Sequence, residues 1–530
     1  MAAADKASAA LAFVRAAEFY RLARVWHPRD GAWTRVLLAR EAEALVNAGR
    51  FIEGAALYLQ ASANASPREA LEYRRLASEH LLAGGRIDDG IAVLSGLLGE
   101  LGLFYPPTPR RAMVEVGART ARLFLRRMGA VDVTLAGQAN PRDLVRVDAC
   151  YSAAKSLANA DPMRSIYFSL EGLRCALRAG EPVRLGRCLC IVAGSISIVG
   201  GRLAAAKGAG MMAAAERIVA VTGSVELQGT LDVVHGQILM LSARWREAVS
   251  RCDVGVRRLS EQCRGYAFEC NIARTSAMRA LEELGEIREL EERARQLMDA
   301  AAGAGNAYAE VAAATHLVLT RLAADDVAGA RTLARKGFEM WTRTGYHLQH
   351  LYSLRAELYC NLYEGRAETG AGRLHEAWSD VRRSGLLRVP LSRIDALNLR
   401  ARLALATAEV LPNGRPLLRA AARDVRRLSR ERRVDAIVHA RLLGAAIAAM
   451  RADRRGAIAA LEDATRESEA ANMRLHAASA RRRKGQLIGG EAGRALVAAA
   501  DEVMRRSGVA RPDRWVALYA PGFGRRTSGE

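Results

Sequence analysis

Two groups of side chains in this 530-residue sequence are spaced as a bound ligand or a charged partner would require. The first is the run from Trp341 through Gly345 and Tyr346 to His350, the densest polar and aromatic stretch of the chain. His347 and His350 fall three apart at the start of an expected helix, so their imidazoles share a face and could share a ligand, with His375 as a possible third partner. The competing reading is a packed turn in which the same rings cap or hydrogen-bond the backbone, and the residues support it better. The second group is Arg423, Arg426, Arg427, Arg430 and Arg433 in the segment RDVRRLSRERR. Spacings of three and four put the first four on one helical stripe. With Arg481, Arg482, Arg483 and Lys484, that stripe could attract phosphates or an acidic partner. Against this, Asp424, Glu431 and Asp435 lie close enough to balance it as an ordinary solvated face, and no aromatics interleave to stack on bases.

Other chemistry finds little footing. Cys150, Cys175, Cys188 and Cys190 hint at a metal, but two residues at i, i+2 on a helix point apart and no matching pair follows. The eight cysteines are expected to be buried helical thiols. No phosphate-binding G-x-x-x-x-G-K-[ST] loop, kinase motif set, H-E-x-x-H or G-x-S-x-G occurs in the sequence. No catalytic, cofactor-binding or metal-binding residue is therefore assigned, and the expectation is a protein that is not an enzyme.

The elements that must carry these residues are helical. Hydrophobic residues make up 50% of the chain but aromatics only 5%, the apolar content being mostly Ala and Leu, which favour helix over strand. A recurring phrase runs along the chain: a helix, a turn marked by Gly or Asp, then a helix rich in small residues. It appears at 42–63, 77–98, 237–252, 279–294, 320–334, 360–377 and 448–464, and the turns near Arg244, Gly285, Asp325 and Gly365 lie about forty residues apart. Glycine at the end of the first helix takes the left-handed conformation cheaply, and Ala55, Ala248, Ala330 and Ala457 let the paired helices approach closely. The expected fold class is all-α, a tetratricopeptide-like helical-hairpin repeat solenoid.

Punctuation divides the array into helical repeats over 1–100, a Pro-rich bridge at 101–112, central repeats over 113–384, basic repeats over 385–520 and a frayed tail at 521–530. The net charge of +22 is almost all arginine. Residues 381–530 hold 31 Lys and Arg against 15 Asp and Glu, so most of the excess is C-terminal. Charges at Lys6, Arg15, Glu18, Arg21 and Arg24 interrupt any leader-like stretch, and the uncharged run between Arg187 and Arg202 is too short to span a bilayer. A cytoplasmic protein is expected.

The ordered phrases RAAEFYRLAR (15–24), ALVNAGRFIEGAALYLQASANA (44–65), DLVRVDACYSAAKSLANADPMRSIYF (143–168), LRCALRAGEPVRLGRCL (173–189), GYHLQHLYSLRAELYCNLYEGR (345–366), LLRVPLSRIDALNLRARLALA (386–406) and WVALYAPGF (515–523) carry a resemblance. The chain resembles the C-terminal repeat region of bacterial multidomain serine/threonine kinase–AAA ATPase signalling proteins, whose kinase and ATPase domains have no counterpart in these residues. The resemblance implies a sensing or scaffolding role in signal transduction, with a protein or peptide in the groove of the solenoid, such as a kinase–ATPase signalling protein. It transfers no catalytic residue and no cofactor. Any name containing kinase would be inherited by family alone. The alternative expectation is a nucleic-acid-associated transcriptional regulator using the basic C-terminal third.

Overall fold

Alanine, leucine and arginine propagate helix until a glycine, a proline or a capping side chain stops it. The structure, a computed structural model, describes residues 1–26, 31–125, 140–158, 160–199, 201–304, 306–341 and 345–524. Among them every regular element is a helix and none is a strand. The first seven are α1 (Ala2–Ala9), α2 (Phe13–Trp26), α3 (Gly31–Asn47), α4 (Phe51–Ala63), α5 (Pro67–Ala83), α6 (Ile87–Glu100) and α7 (Pro109–Leu125). Then come α8 (Pro141–Leu157), α9 (Pro162–Ala179), α10 (Pro182–Val199), α11 (Arg202–Thr222), α12 (Val225–Leu241), α13 (Trp245–Gln262) and α14 (Ala267–Leu284). The series continues with α15 (Ile287–Ala302), α16 (Ala307–Ala323), α17 (Val327–Glu339), α18 (Leu348–Tyr363), α19 (Ala367–Arg383) and α20 (Pro390–Val410). It ends with α21 (Arg415–Leu428), α22 (Val434–Met450), α23 (Arg454–Ala470), α24 (Arg474–Ile488), α25 (Gly490–Arg506) and α26 (Pro512–Tyr519).

The turns between paired helices are one structure repeated. After α3, Gly49 sits at φ +83° and the Arg50 N–H donates to Leu45 O at 2.9 Å. The same closure joins Arg86 to Leu81, Arg244 to Leu239, Glu286 to Leu281, Asp326 to Arg321, Arg366 to Asn361 and Asp453 to Ala448. Each satisfies a carbonyl that the helix end leaves open. The left-handed residue is not always glycine: Ala243, Asp325 and Ala452 take φ of 59°, 62° and 63° in their turns. Prolines start helices where their missing N–H costs nothing, as at Pro67, Pro141, Pro162 and Pro182. Ser66 and Glu69 form a reciprocal cap ahead of α5, and Asp161 caps α9.

Among the described residues most consecutive helices pack on one another, and many also touch the next but one. Ala55, Ala248, Ala330 and Ala457 are fully buried at these contacts, where a larger side chain would push the pair apart. The chain also returns on itself at long intervals. Gly265 N–H donates to Asn47 Oδ1 across 218 residues, Arg433 donates to Leu241 O across 192, and Arg514 reaches Asp325 Oδ1 at 2.7 Å across 189. A Cβ at Gly285 would sit 2.8 Å from Leu475 Cγ, so helix ends distant in sequence meet closely.

Two stretches that the sequence marks as irregular are held by side chains. The bridge at 101–112 is pinned, with Arg164 donating to the carbonyls of Pro106 and Pro107 and its guanidinium lying over the Tyr105 ring. Residues 521–524 do not fray. The Gly522 N–H donates to Glu409 Oε2, and buried Arg483 donates to Ala520 O beneath the Phe523 ring. The rest of the expected tail, 525–530, lies outside the described residues. No helix among the described residues is long and apolar enough to cross a membrane.

Candidate functional site

The inward faces of α3, α5, α8 and α10, with α12 and the turn before α14, wall an open basin of about 530 Å³. Its floor is a buried ionic seam. The Lys155 ammonium donates to Glu79 and, at 2.8 Å, to Glu269, joining three helices through one cation. Arg75 donates to Glu79 Oε2 at 3.1 Å, and Ser152 adds a 2.6 Å hydrogen bond to the same carboxylate. Burial alone would raise the Glu79 carboxyl, but Lys155 and Arg75 outweigh it and hold the group far below the usual carboxylate range. Burial pushes His80 down to about 4, and its ring stacks between Phe51 and Tyr58.

Above the floor, Arg184 and Arg187 share Asp148, and Arg187 lies over the Tyr151 ring. Two groups stay open to a ligand. Glu269 Oε2 is buried without a partner, and the exposed Arg264 has no carboxylate within 4 Å among the described residues. Tyr58, Tyr73, Tyr151 and Tyr266 supply flat apolar surface between the charges. The basin thus offers aromatic faces, a free acceptor and a free cation, a set suited to a peptide-like chain with donors and acceptors of its own. Outside the basin, the Cys188 and Cys190 thiols are pushed up to about 12 by burial, and all eight cysteines are free and buried.

The residues singled out in the sequence fall elsewhere. Trp341 is buried, its Nε1 donates to His347 Nδ1 at 3.1 Å, and the His347 N–H donates to His350 Nδ1 at 2.9 Å. These rings serve the N-terminus of α18, burial pushing His347 down to about 4, while His375 is exposed on α19. Residues 342–344 of that run lie outside the described residues.

Arg423, Arg426, Arg427 and Arg430 are exposed along and just beyond α21, as the spacing requires. Arg433 is not part of that stripe. It pairs with Asp435, donates to Leu241 O and covers the Trp245 ring. The basic run 481–484 does not extend the stripe either, because each cation is engaged locally: Arg481 with Glu469, Arg482 with Asp501, Arg483 with Ala520 O and Lys484 with Glu462. Of the carboxylates expected to balance the stripe, Asp424 pairs with Arg400 and also lies 3.8 Å from Arg427, while Glu431 pairs with Arg393 and Asp435 with Arg433.

Sequence reasoning missed the basin because its partners lie 76 and 114 residues apart. The available signal was Lys155, one of few lysines, sitting among the apolar positions of SAAKSLA. Compared with known proteins, the chain matches no family model and no curated protein.

Proposed function

We propose that this chain is a non-catalytic, tetratricopeptide-like solenoid that binds a peptide or helical segment of a signalling partner in the basin between α3 and α14. The observation that carries the reading is the basin itself: an open concavity whose polar floor is fixed by paired buried charges, with Glu269 Oε2 and Arg264 left over at its edge. Stacked helical pairs produce such a concave face without loops, and recognition there needs no reactive group. The resemblance to the repeat region of serine/threonine kinase–ATPase proteins supports a partner of that signalling class. A charge reversal Arg264→Glu, with Tyr73→Ala alongside, is expected to weaken partner binding at least tenfold while leaving the melting temperature unchanged. Unaltered affinity in both variants would refute the basin as the binding face.

A second reading has one observation behind it. Arg423, Arg426 and Arg430 are exposed and have no carboxylate within 4 Å among the described residues. A nucleic-acid backbone would suit such a stripe, with affinity falling steeply as salt rises. Filter binding of duplex DNA and single-stranded RNA across a salt series decides it: loss of binding in the triple Arg→Gln variant supports the reading, and no binding at low salt ends it.

A further inference from the structure

A second polar cluster lies away from the basin, where α14, α22 and α24 meet in the C-terminal half. Glu283, His439 and His476 are all buried, and one ligand atom from each lies within 4.8 Å of the others. One carboxylate oxygen of Glu283 pairs with the Arg279 guanidinium at 2.8 Å, while Oε2 is buried without a partner. His439 Nδ1 and both nitrogens of His476 are likewise buried and unbonded. Buried imidazoles normally spend both nitrogens on hydrogen bonds, so this many idle atoms around one point need an occupant. From these atoms we propose that Glu283, His439 and His476 bind a single divalent transition-metal ion of the zinc type.

The chemistry of the donor set fits that class. Two imidazole nitrogens and one carboxylate oxygen suit a borderline cation, whereas calcium or magnesium would want an all-oxygen shell. Atoms across an ideal tetrahedral zinc site stand about 3.4 Å apart, which small side-chain rotations reach from the observed spacing. The surroundings are mixed in charge: Asp435, Glu282 and Asp395 act on the Glu283 carboxyl together with Arg279, while Arg402 and Arg279 act on both imidazoles. Arg402, its guanidinium over the Tyr519 ring, is 1% exposed, with Nε and Nη1 unbonded and no carboxylate within 4 Å among the described residues. An oxygen ligand completing the metal's shell would give those N–H groups an acceptor. Tyr519 packs its ring 4.3 Å from that of His476 and closes the site from α26. The ion is therefore a structural pin that joins the chain at residue 283 to the chain at residue 476, beside the contact of Gly285 with Leu475.

A site this enclosed fills as the chain folds, so it is read on the full chain purified from zinc-supplemented cells. Elemental analysis should find about one zinc per chain, falling below a tenth in His476→Phe and in Glu283→Gln, variants whose shapes preserve the packing. Cobalt-grown protein should show visible d–d bands without a thiolate charge-transfer band. The wild-type spectrum alone decides the ligand type, so the test survives a variant that fails to fold. Wild-type protein without stoichiometric zinc or cobalt, metal retained in both variants, or a thiolate band would overturn the proposal.

Discussion

Lys155 shows how much one side chain can hold. Its ammonium is the cation between Glu79 and Glu269, and water reaches none of the three freely. Substituting Lys155→Met would leave two buried carboxylates short of a partner, and a loss of about 3–5 kcal/mol in urea unfolding is expected. Exposed pairs such as Arg50 with Glu53 should contribute well under 1 kcal/mol by the same measurement. His80 gives the acid limit. Its pKa lies near 6.5 in the unfolded chain and at about 4 when folded, because burial opposes the imidazolium. The stability it confers is complete above pH 6.5 and disappears as the pH falls through 4, on the order of 3 kcal/mol. Glu79 stays ionised throughout that window. His347 is pushed down to about 4 in the same way, so His80→Phe should reduce the dependence of melting temperature on pH between 6.5 and 4 by about half, and an unchanged slope would mean the proton enters elsewhere.

Among the elements, the repeated turn is the unit that sequence exposes best. The expected turns at Gly49, Gly285, Asp325 and Gly365 are all present, because glycine and aspartate report directly on a left-handed or capping position. Ala452 carries no such mark yet takes the same backbone, at φ 63°. Ala452→Gly is expected to stabilise the chain by about 1 kcal/mol by removing that strain. Gly285→Ala is expected to do the opposite and more severely, since its Cβ would also meet Leu475. Thermal melts of the two variants should shift in opposite directions. The arginine stripe was legible for a similar reason, being local in sequence along one helix. The basin was not, because the links from Lys155 to Glu79 and Glu269, and from Arg184 and Arg187 to Asp148, join helices that only packing brings together.

At the scale of the whole molecule, closure between distant segments governs what the chain can present. Arg514 on α26 reaches Asp325, and the Ala510 N–H donates to Ala323 O at 2.7 Å, so the last helix braces the α16–α17 turn. Trp515 is fully buried there, and Trp515→Ala should cost about 3–5 kcal/mol. Hydrogen exchange should then quicken in α18, which packs directly on α26, before it quickens in α3. The basin remains a polar concavity open to solvent between α3 and α14. Where a partner touches the chain decides most directly whether recognition runs through the basin. A photo-crosslinking residue placed at Tyr73, inside the basin, should capture a signalling partner, while the same residue at exposed Arg383 on α19 should not. Capture at Arg383 alone, or equal capture at both positions, would contradict recognition through the basin.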